Sequence, residues 1–264
     1  MTVSTGRTAM DPGAAGLAAL RANAGFQALP DTLLAEWLSA CAVWNVPRGQ
    51  VLAEQGTVPD VCFGLVRGAV ELGLRDTAGG YPLRDLVEPG QWLCVEPLLL
   101  NAPLPLRVRT FAPSVVLVMR RSVLRDLQGR HPAVSQALLH LGWQFSARLL
   151  RQSQLREGAL RLRLRNALSS LAERFGSRDG AWTRIGVAVS QCDLAAMVGC
   201  TRQRVNLELQ NLQRAGELRQ QDRRYALPIA TTDTRSWPPS PMQRVRDLAS
   251  ADAQVLEVEV AHRL

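Results

Sequence analysis

The sequence predicts an α+β protein in which a β-rich N-terminal half is joined by a long helix to a C-terminal winged helix-turn-helix. Three observations predict this fold. Short β-rich runs alternate with glycine and proline between about residues 46 and 120, and helical periodicity returns after Pro132. Residues 190–215 then show the caps, turn glycine and apolar spacing of two helices that cross steeply. A chain of 264 residues is long enough for about two domains.

The charge of the chain is concentrated in one segment. Every basic side chain is an arginine, and the net charge is +8. Residues 143–230 hold 15 arginines against 7 acidic residues, residues 1–142 hold 12 against 11, and residues 231–264 hold 4 against 5. A local positive field favours binding to phosphate groups. On charge alone, a solvated arginine-rich face remains the alternative.

Composition argues against several classes of protein. No apolar run approaches the ~20 residues of a membrane span, and the N-terminus lacks the pattern of a signal peptide. We find no metal-ligand cluster, no glycine-rich phosphate loop and no nucleophile with a partnered base, so we do not expect an enzyme. Five scattered cysteines indicate a reduced, cytoplasmic protein; they are Cys41, Cys62, Cys94, Cys192 and Cys200.

The N-terminal half is expected to be an arm, a helix and a set of strands. Residues 1–27 are interpreted as a flexible arm, and residues 31–44 have helical spacing with Asp31 as the N-cap. The strand-like runs that follow predict a β-roll or sandwich. They are QVLAE, VCFGLVRG, AVELGLR, LRDLV and SVVLVM.

A long helix is predicted over residues 131–156, and its apolar stripe has two interpretations. The stripe fits a coiled-coil seam of a dimer, but it fits an ordinary amphipathic core helix equally well. Its members are Val134, Leu138, Leu141, Phe145, Leu149, Gln152 and Leu155. A second helix is expected at about 158–175. After Pro228 the composition indicates a linker, and the last stretch could be a helix, a strand or disordered.

Residues 190–215 carry the most specific pattern. Ser190 and Asp193 form an N-terminal capping arrangement for a helix over 191–198, which Gly199 ends in a tight turn. Thr201 can cap a second helix that runs to Arg214. The alternative is a basic αα-hairpin that does not bind DNA.

The second of these helices exposes side chains suited to DNA near its N-terminus. Arginine can bond guanine with both arms, glutamine and asparagine can do so for adenine, and threonine and arginine also hold phosphates. The following GELRQQDRRYAL predicts a two-stranded wing that places arginines near the DNA backbone. The candidate DNA-binding residues are Thr201, Arg202, Gln203, Arg204, Asn206, Arg223 and Arg224.

With these motifs in order, the chain resembles the Crp–Fnr family of bacterial transcription regulators over about residues 28–228. The resemblance depends on VPRGQVLAEQG, FGLVRGAVEL, the PGQW turn and, above all, DLAAMVGCTRQRVNLELQNLQRAGEL. It implies a cyclic-nucleotide-binding-like β-roll over 28–130, a dimerisation helix over 131–156, a winged helix-turn-helix over 157–228 and a tail over 229–264. It also implies palindromic double-stranded DNA, a second copy of the chain and RNA polymerase as partners, with no membrane.

The resemblance does not extend to the segment of the β-roll with which family members bind cyclic AMP. The stretch that corresponds to their phosphate cassette is Leu93 to Pro97 here, and no arginine stands at the phosphate position unless Arg107 shifts into it. Prolines in this loop remove amide donors. We therefore do not expect cyclic AMP binding, and we keep Glu96 and Arg107 as the effector-binding candidates.

Other effectors receive little support from the sequence, and the cofactor is unknown. No cysteine set for an iron–sulfur cluster precedes the roll, and lone Cys94, His131 and His140 are the candidates for haem in a haem- or redox-responsive regulator. Cys192 and Cys200 are interpreted as small buried residues. The alternative is a constitutive DNA-binding protein whose roll serves only as a scaffold. Many family members place an arginine where this chain has Leu207, so base recognition is expected to depend on Arg202, Gln203 and Asn206.

Overall fold

A computed structural model describes residues 12–221 and 223–229, and within these ranges the chain forms helices and antiparallel strand pairs in the predicted order. The helices are α1 (Pro12–Ala22), a short 3-10 helix (Ala24–Phe26), α2 (Asp31–Ser39), α3 (Val95–Leu100), α4 (Arg121–Arg130), α5 (Pro132–Gln154), α6 (Leu160–Phe175), α7 (Gln191–Val198) and α8 (Arg202–Arg214). The strands are β1 (Ala42–Val46), β2 (Val51–Ala53), β3 (Val61–Arg67), β4 (Val70–Gly73), β5 (Leu83–Val87), β6 (Trp92–Leu93), β7 (Arg107–Thr110), β8 (Ser114–Arg120), β9 (Gly176–Asp179), β10 (Trp182–Ile185), β11 (Arg219–Gln221) and β12 (Arg224–Pro228).

The N-terminal half is the predicted β-roll, built from two four-stranded antiparallel sheets. One sheet has the order β1-β8-β3-β6 and the other has the order β2-β7-β4-β5. Their facing side chains share one apolar core, which includes Phe63, Leu72, Leu106 and Val118. The five strands expected from the sequence are confirmed as β2, β3, β4, β5 and β8. Strands β1, β6 and β7 were not expected.

The expected helix over 31–44 is wrong in its last residues and in its cap. The helix α2 ends at Ser39, and Ala42–Val46 pairs with β8 instead. Pairing with a neighbouring strand outweighs local helical spacing here, because backbone groups at a sheet edge gain partners that a frayed helix end lacks. Asp31 is the first helical residue, and Pro30 holds the N-cap position.

Residues 12–27 do not form the expected arm. They contain helix α1, and Leu20 and Phe26 are buried in the core beside the roll. The ring of Phe26 meets Trp37 edge-on at 5.0 Å between centroids, and Trp37 meets Trp92 in the same way at 5.2 Å. Aromatic pairs of this geometry stabilise a fold beyond the area they bury. This part of the chain therefore anchors α1 and α2 on the first sheet.

Helix α5 has two apolar faces. The stripe expected from the sequence is mainly the inner face, since Val134, Leu138 and Leu141 are buried against the roll of the same chain. The structure thus supports the amphipathic core helix for these residues. A second stripe faces outward: Leu139, Trp143 and Leu150 are 75%, 47% and 64% exposed. Their spacing of four and seven residues keeps them on one side of the helix.

The C-terminal unit packs three helices against a small sheet. Strands β9–β12 form an antiparallel sheet of order β11-β12-β10-β9, and α6, α7 and α8 lie on it around a shared core. The core residues include Leu168, Leu194, Val205 and Tyr225. Helix α6 starts at Leu160, two residues after its expected start. The tail expected over 229–264 lies outside the described residues, except for Ile229.

A buried cluster of charges connects the C-terminal unit to the roll. The carboxylate of Asp85 is 1% exposed and accepts hydrogen bonds from Arg148 (2.9 Å) and Gln152 (2.7 Å) of α5 and from Arg174 (3.0 Å) of α6. Glu88 pairs with both arginines. Burial acts to lower the pKa of Arg148, but Glu88 and Asp85 together raise it above its usual value. We call these five side chains the junction cluster.

None of the helices in residues 12–221 and 223–229 is long and apolar enough to cross a membrane.

Candidate nucleic-acid interface

Helix α7 begins with the expected reciprocal cap. The hydroxyl of Ser190 accepts a hydrogen bond from the backbone N–H of Asp193 at 3.1 Å, and the Asp193 carboxylate accepts one from the N–H of Ser190 at 2.8 Å. Two backbone donors that a helix start leaves unpaired are thereby satisfied. This cap fixes the first residue of the helix and confirms the expected span of 191–198.

The turn between α7 and α8 depends on Gly199. Its backbone is left-handed, with φ 65° and ψ 50°, and its N–H bonds the carbonyl of Ala195. Glycine adopts this conformation without the penalty that a Cβ brings. Thr201 then caps α8 by accepting a hydrogen bond from the N–H of Arg204. The helix ends at Arg214, as expected.

The buried face of α8 determines which side chains face outward. Val205, Leu209 and Leu212 pack on α7 and α6, where Leu194 and Val198 are also buried. These positions repeat at three- and four-residue steps, so the opposite face of α8 is left to solvent. Four of the expected DNA-binding residues are exposed at its start: Thr201, Arg202, Gln203 and Arg204.

Asn206 is placed differently from the other expected base-contacting residues. It is half-buried, and its side-chain oxygen accepts a hydrogen bond of 2.9 Å from the amide of Gln191 in α7. An amide side chain that makes a bidentate contact to adenine accepts a hydrogen bond from N6 through its oxygen and donates one to N7 through its nitrogen. In this structure Gln191 occupies one of the two lone pairs of the Asn206 oxygen and holds this side chain against α7. The contact to Gln191 was not visible in the sequence.

The wing lies where the sequence predicts it. Strands β11 and β12 pair through Gln221 and Arg224, and Arg223 in the turn has a left-handed backbone with φ 62°. The side chains of Arg223 and Arg224 are exposed. Arg219 lies over the ring of Trp182 at 4.1 Å, which fixes the base of the wing to β10.

Two arginines that the sequence did not single out hold the end of α7. Arg156, just after α5, donates hydrogen bonds to the carbonyls of Ala196 and Met197, and Arg163 of α6 donates one to Val198 at 2.8 Å. Cations favour helix C-termini because the last carbonyls are unpaired. Burial, and then the nearby charges of Arg84 and Arg163, lower the pKa of Arg156. The end of the long helix is thus tied directly to the helix-turn-helix.

A small cavity lies beside Glu96 in the roll. Its volume is about 20 Å³, and apolar side chains such as Leu72, Leu104 and Phe145 line it together with Glu96. Such a space holds about one water molecule. Burial raises the pKa of Glu96 above its usual value.

The two effector-binding candidates do not meet in this structure. Arg107 is followed in β7 by Val108, whose side chain faces the cavity, so Arg107 lies on the other face of the strand. Its guanidinium is 3.4 Å from Glu54 and lies over the ring of Tyr81 at 4.6 Å. Whether Glu96 or Arg107 binds an effector stays a prediction.

The candidates for haem or redox chemistry have different surroundings. Burial raises the pKa of Cys94 to about 12, which disfavours the reactive thiolate. His131 bonds Glu36 at 3.0 Å, whereas His140 is exposed. Within the part of the chain that the structure describes, no group of three or more histidine, cysteine or acidic residues could hold a metal ion.

The two cysteines of the helix-turn-helix have different surroundings. Cys200 is half-buried and packs against the core, as expected. The expectation that Cys192 is buried is wrong: it lies in the first turn of α7 and faces solvent. The apolar face of α7 is formed by Leu194, Ala195 and Val198, so position 192 falls on the opposite side of the helix.

The fold and this interface together define a DNA-binding protein of the winged helix-turn-helix class with an attached β-roll. Residues 43–131 match the cyclic nucleotide-binding domain family, and residues 162–231 match the Crp-like helix-turn-helix domain family. The chain is 26% identical over 204 residues to a CRP-like cAMP-activated global transcriptional regulator of Mycobacterium tuberculosis. That match covers 75% of this chain and 89% of the relative.

Solved structures show the same fold. The c-di-GMP responsive global regulator CLP of Xanthomonas campestris has a TM-score of 0.62 at 19% identity, covering 75% of this chain and 99% of that one. FixK2 from Bradyrhizobium japonicum has a TM-score of 0.62 at 17% identity, covering 71% and 92%. The chain belongs to the Crp–Fnr family, and it is a DNA-binding transcription regulator.

Proposed function

We propose that this regulator acts as a homodimer that binds a two-fold symmetric DNA site, with the start of α8 in the major groove of each half-site. One observation carries the proposal: the polar residues at positions 201–204, two of them arginines, all project from the start of α8. In helix-turn-helix proteins this part of the recognition helix contacts base edges.

The charges around α8 support this placement. Among the described residues, no acidic side chain forms an ion pair with Arg202, Arg204, Arg223 or Arg224. Their charge is therefore available to the phosphate backbone, where each contact releases counterions. Arg202 is the candidate for a bidentate contact to guanine, and the two wing arginines are candidates for phosphate contacts.

The outer stripe of α5 supports the homodimer. Leu139, Trp143 and Leu150 form an exposed apolar line with the spacing of a two-helix seam. A second copy of the same helix would cover this line and place the two α8 helices in successive grooves, about one helical turn apart. We therefore assign dimerisation to this stripe, and not to the inner stripe that the sequence favoured.

A selection from random DNA with the purified full chain tests the proposal. We expect enrichment of a palindrome whose half-sites are about one helical turn apart. Leu139→Glu should shift the protein toward monomer in light scattering and weaken binding to the palindrome more than to a single half-site. Arg67→Ala, which removes an exposed arginine of the roll, is the matched control and should change neither. Enrichment of no palindrome would overturn the proposal.

The closed roll favours a second candidate, a constitutive regulator whose roll is a scaffold. Ligand pockets for small molecules have roughly 300–1,000 Å³, and the cavity beside Glu96 has about 20 Å³. In this conformation the cavity beside Glu96 has no room for a nucleotide. Calorimetry and thermal shift with cyclic AMP are expected to show no binding. Binding that also changes DNA affinity would reject the scaffold and identify the signal.

The proteins that this chain resembles are transcription regulators, and we propose no catalytic activity for it. Contact with RNA polymerase, a cytoplasmic location and the domain bounds at 131 and 157 stay predictions. The bound at 28 is moved toward the N-terminus, because α1 packs in the core beside the roll. Run-off transcription from a promoter that carries the selected site would test the polymerase contact.

A further inference from the structure

The central outward position of the recognition helix is apolar. Leu207 lies two residues after buried Val205 and two before buried Leu209, so it points away from the core. Its side chain is 58% exposed. Isolated exposed leucines are common on protein surfaces and do not by themselves indicate a binding site. The position of Leu207 distinguishes it, because it lies in the middle of the surface that we assign to the major groove.

The exposed neighbours of Leu207 on this face are polar, and the adjacent Glu208 is half-buried and lies 3.5 Å from Arg161 of α6. Gln203 and Gln210 stand one turn before and one turn after it, and both are exposed. Asn206 beside it is held by Gln191 through its oxygen. The face therefore offers two adaptable amides with an apolar side chain between them.

The major groove offers one apolar group that matches such a side chain. Each base pair presents hydrogen-bonding atoms there, but only thymine adds a methyl group, at C5. An A·T pair also presents the adenine N6 and N7 atoms that a glutamine can bond. Gln203 and Leu207, one turn apart, are thus matched to the two kinds of group that A·T pairs expose.

We propose that Leu207 is a specificity-determining residue that contacts the C5-methyl group of a thymine in each half-site. The inference rests on the proposed function, because it needs α8 in the major groove. Burial of the leucine against the methyl group removes apolar surface of both partners from water, which stabilises the complex without a hydrogen bond. Cytosine and uracil at the same position lack this contact.

Replacement of thymine by uracil tests the contact directly, because it deletes only the methyl group. In the palindrome selected by the wild-type protein, each thymine is replaced in turn by uracil, and affinity is measured by fluorescence anisotropy. At one thymine per half-site, uracil is expected to weaken binding about fourfold, and about fifteenfold when both half-sites carry it, the effect of losing one buried methyl-sized group each time. The other thymines should show smaller changes.

The protein side of the test uses a matched pair of leucines. Leu207→Ala should bind the thymine and uracil sites equally at the sensitive position. Leu162→Ala removes a leucine of α6 that is 53% exposed in the same unit, and it should keep the wild-type preference. The uracil series on the wild-type protein needs no variant, so it decides the question even where a variant fails to fold.

The outcomes separate this inference from the proposed function. Failure of the wild-type protein to select any site overturns the proposed function and this inference with it. Selection of a palindrome that lacks thymine, or in which uracil changes no position, overturns only the role of Leu207. Retention of the thymine preference by Leu207→Ala does the same.

Discussion

The two halves of the molecule present their candidate binding residues in opposite ways. The C-terminal half places polar and cationic side chains on the outside of one helix, around Arg202. The N-terminal half directs apolar side chains inward, and they leave about 20 Å³ beside Glu96. A DNA-binding surface needs only exposed polar and cationic side chains, whereas a ligand pocket needs space that no side chain fills. The comparison shows that one fold can present a DNA-binding surface while its roll leaves little space for a ligand.

The junction cluster is where the two halves depend on each other most, so we expect the largest effect there. Arg148→Met leaves the carboxylates of Asp85 and Glu88 buried without their main cation. Loss of one partner of a buried pair lowers the free energy of unfolding by about 3–5 kcal/mol. Urea denaturation measures this change.

A second expectation for the same variant concerns cooperativity. If the cluster couples the halves, intrinsic fluorescence and circular dichroism should follow different transitions in Arg148→Met and a single one in the wild-type protein. Arg130→Met, which removes an exposed cation paired with Asp126 and Glu36, is the control and should change stability much less. A single, unshifted transition in Arg148→Met would contradict the coupling.

An intermediate effect is expected at the DNA surface. Arg202→Ala should weaken binding to the selected site by about 1–3 kcal/mol, the usual value of a bidentate base contact, with little change on random DNA. Arg224→Ala should weaken both to a similar extent, because phosphate contacts carry no sequence information directly. Anisotropy titrations at fixed salt measure both. Equal losses on both DNAs for Arg202→Ala would show that it contacts only phosphate.

The smallest effect is expected in the closed roll, at Glu96. Burial raises the pKa of this carboxyl in the folded state. A raised pKa means that the folded protein binds the proton more tightly than the unfolded chain does, so this group favours folding at low pH. Its contribution is complete below the unfolded pKa of about 4.3 and is lost as pH rises through the folded value.

Glu96→Gln therefore isolates this dependence. The variant should melt at a higher temperature than the wild-type protein at pH 7, and the difference should disappear near pH 4. Scanning calorimetry across that range measures it. The matched control is Glu54→Gln on the outer surface of the roll, which should show no such gain. A variant less stable at pH 7 would mean that the charged form of Glu96 has a stabilising partner.

The recognition unit was predictable because its signals are local. The Ser190–Asp193 cap, Gly199 and the Thr201 cap each act within four residues, and the structure confirms the bounds of both helices to the residue. The roll was predictable only in outline. Strand β1 has helical spacing in the sequence, and only its pairing with β8 makes it extended.

Contacts between distant segments account for what the sequence missed. The stripe of α5 fitted two interpretations, because periodicity shows that a helix has an apolar face without showing what covers it. Asp85, Arg148 and Arg174 are far apart in the chain, and each resembles an ordinary surface charge until the fold brings them together.

By itself the sequence determined that this chain has a β-rich half, a long helix and a DNA-binding helix-turn-helix. It also determined that polar side chains are exposed at the start of the second helix of that motif. The tertiary structure decided that Asn206 is held by Gln191, that Leu207 is exposed at the centre of the outward face, and that about 20 Å³ is left beside Glu96. The physical reason is the range of the interactions. Caps and turns act between near neighbours in the chain, whereas burial depends on which distant side chains arrive in the same space.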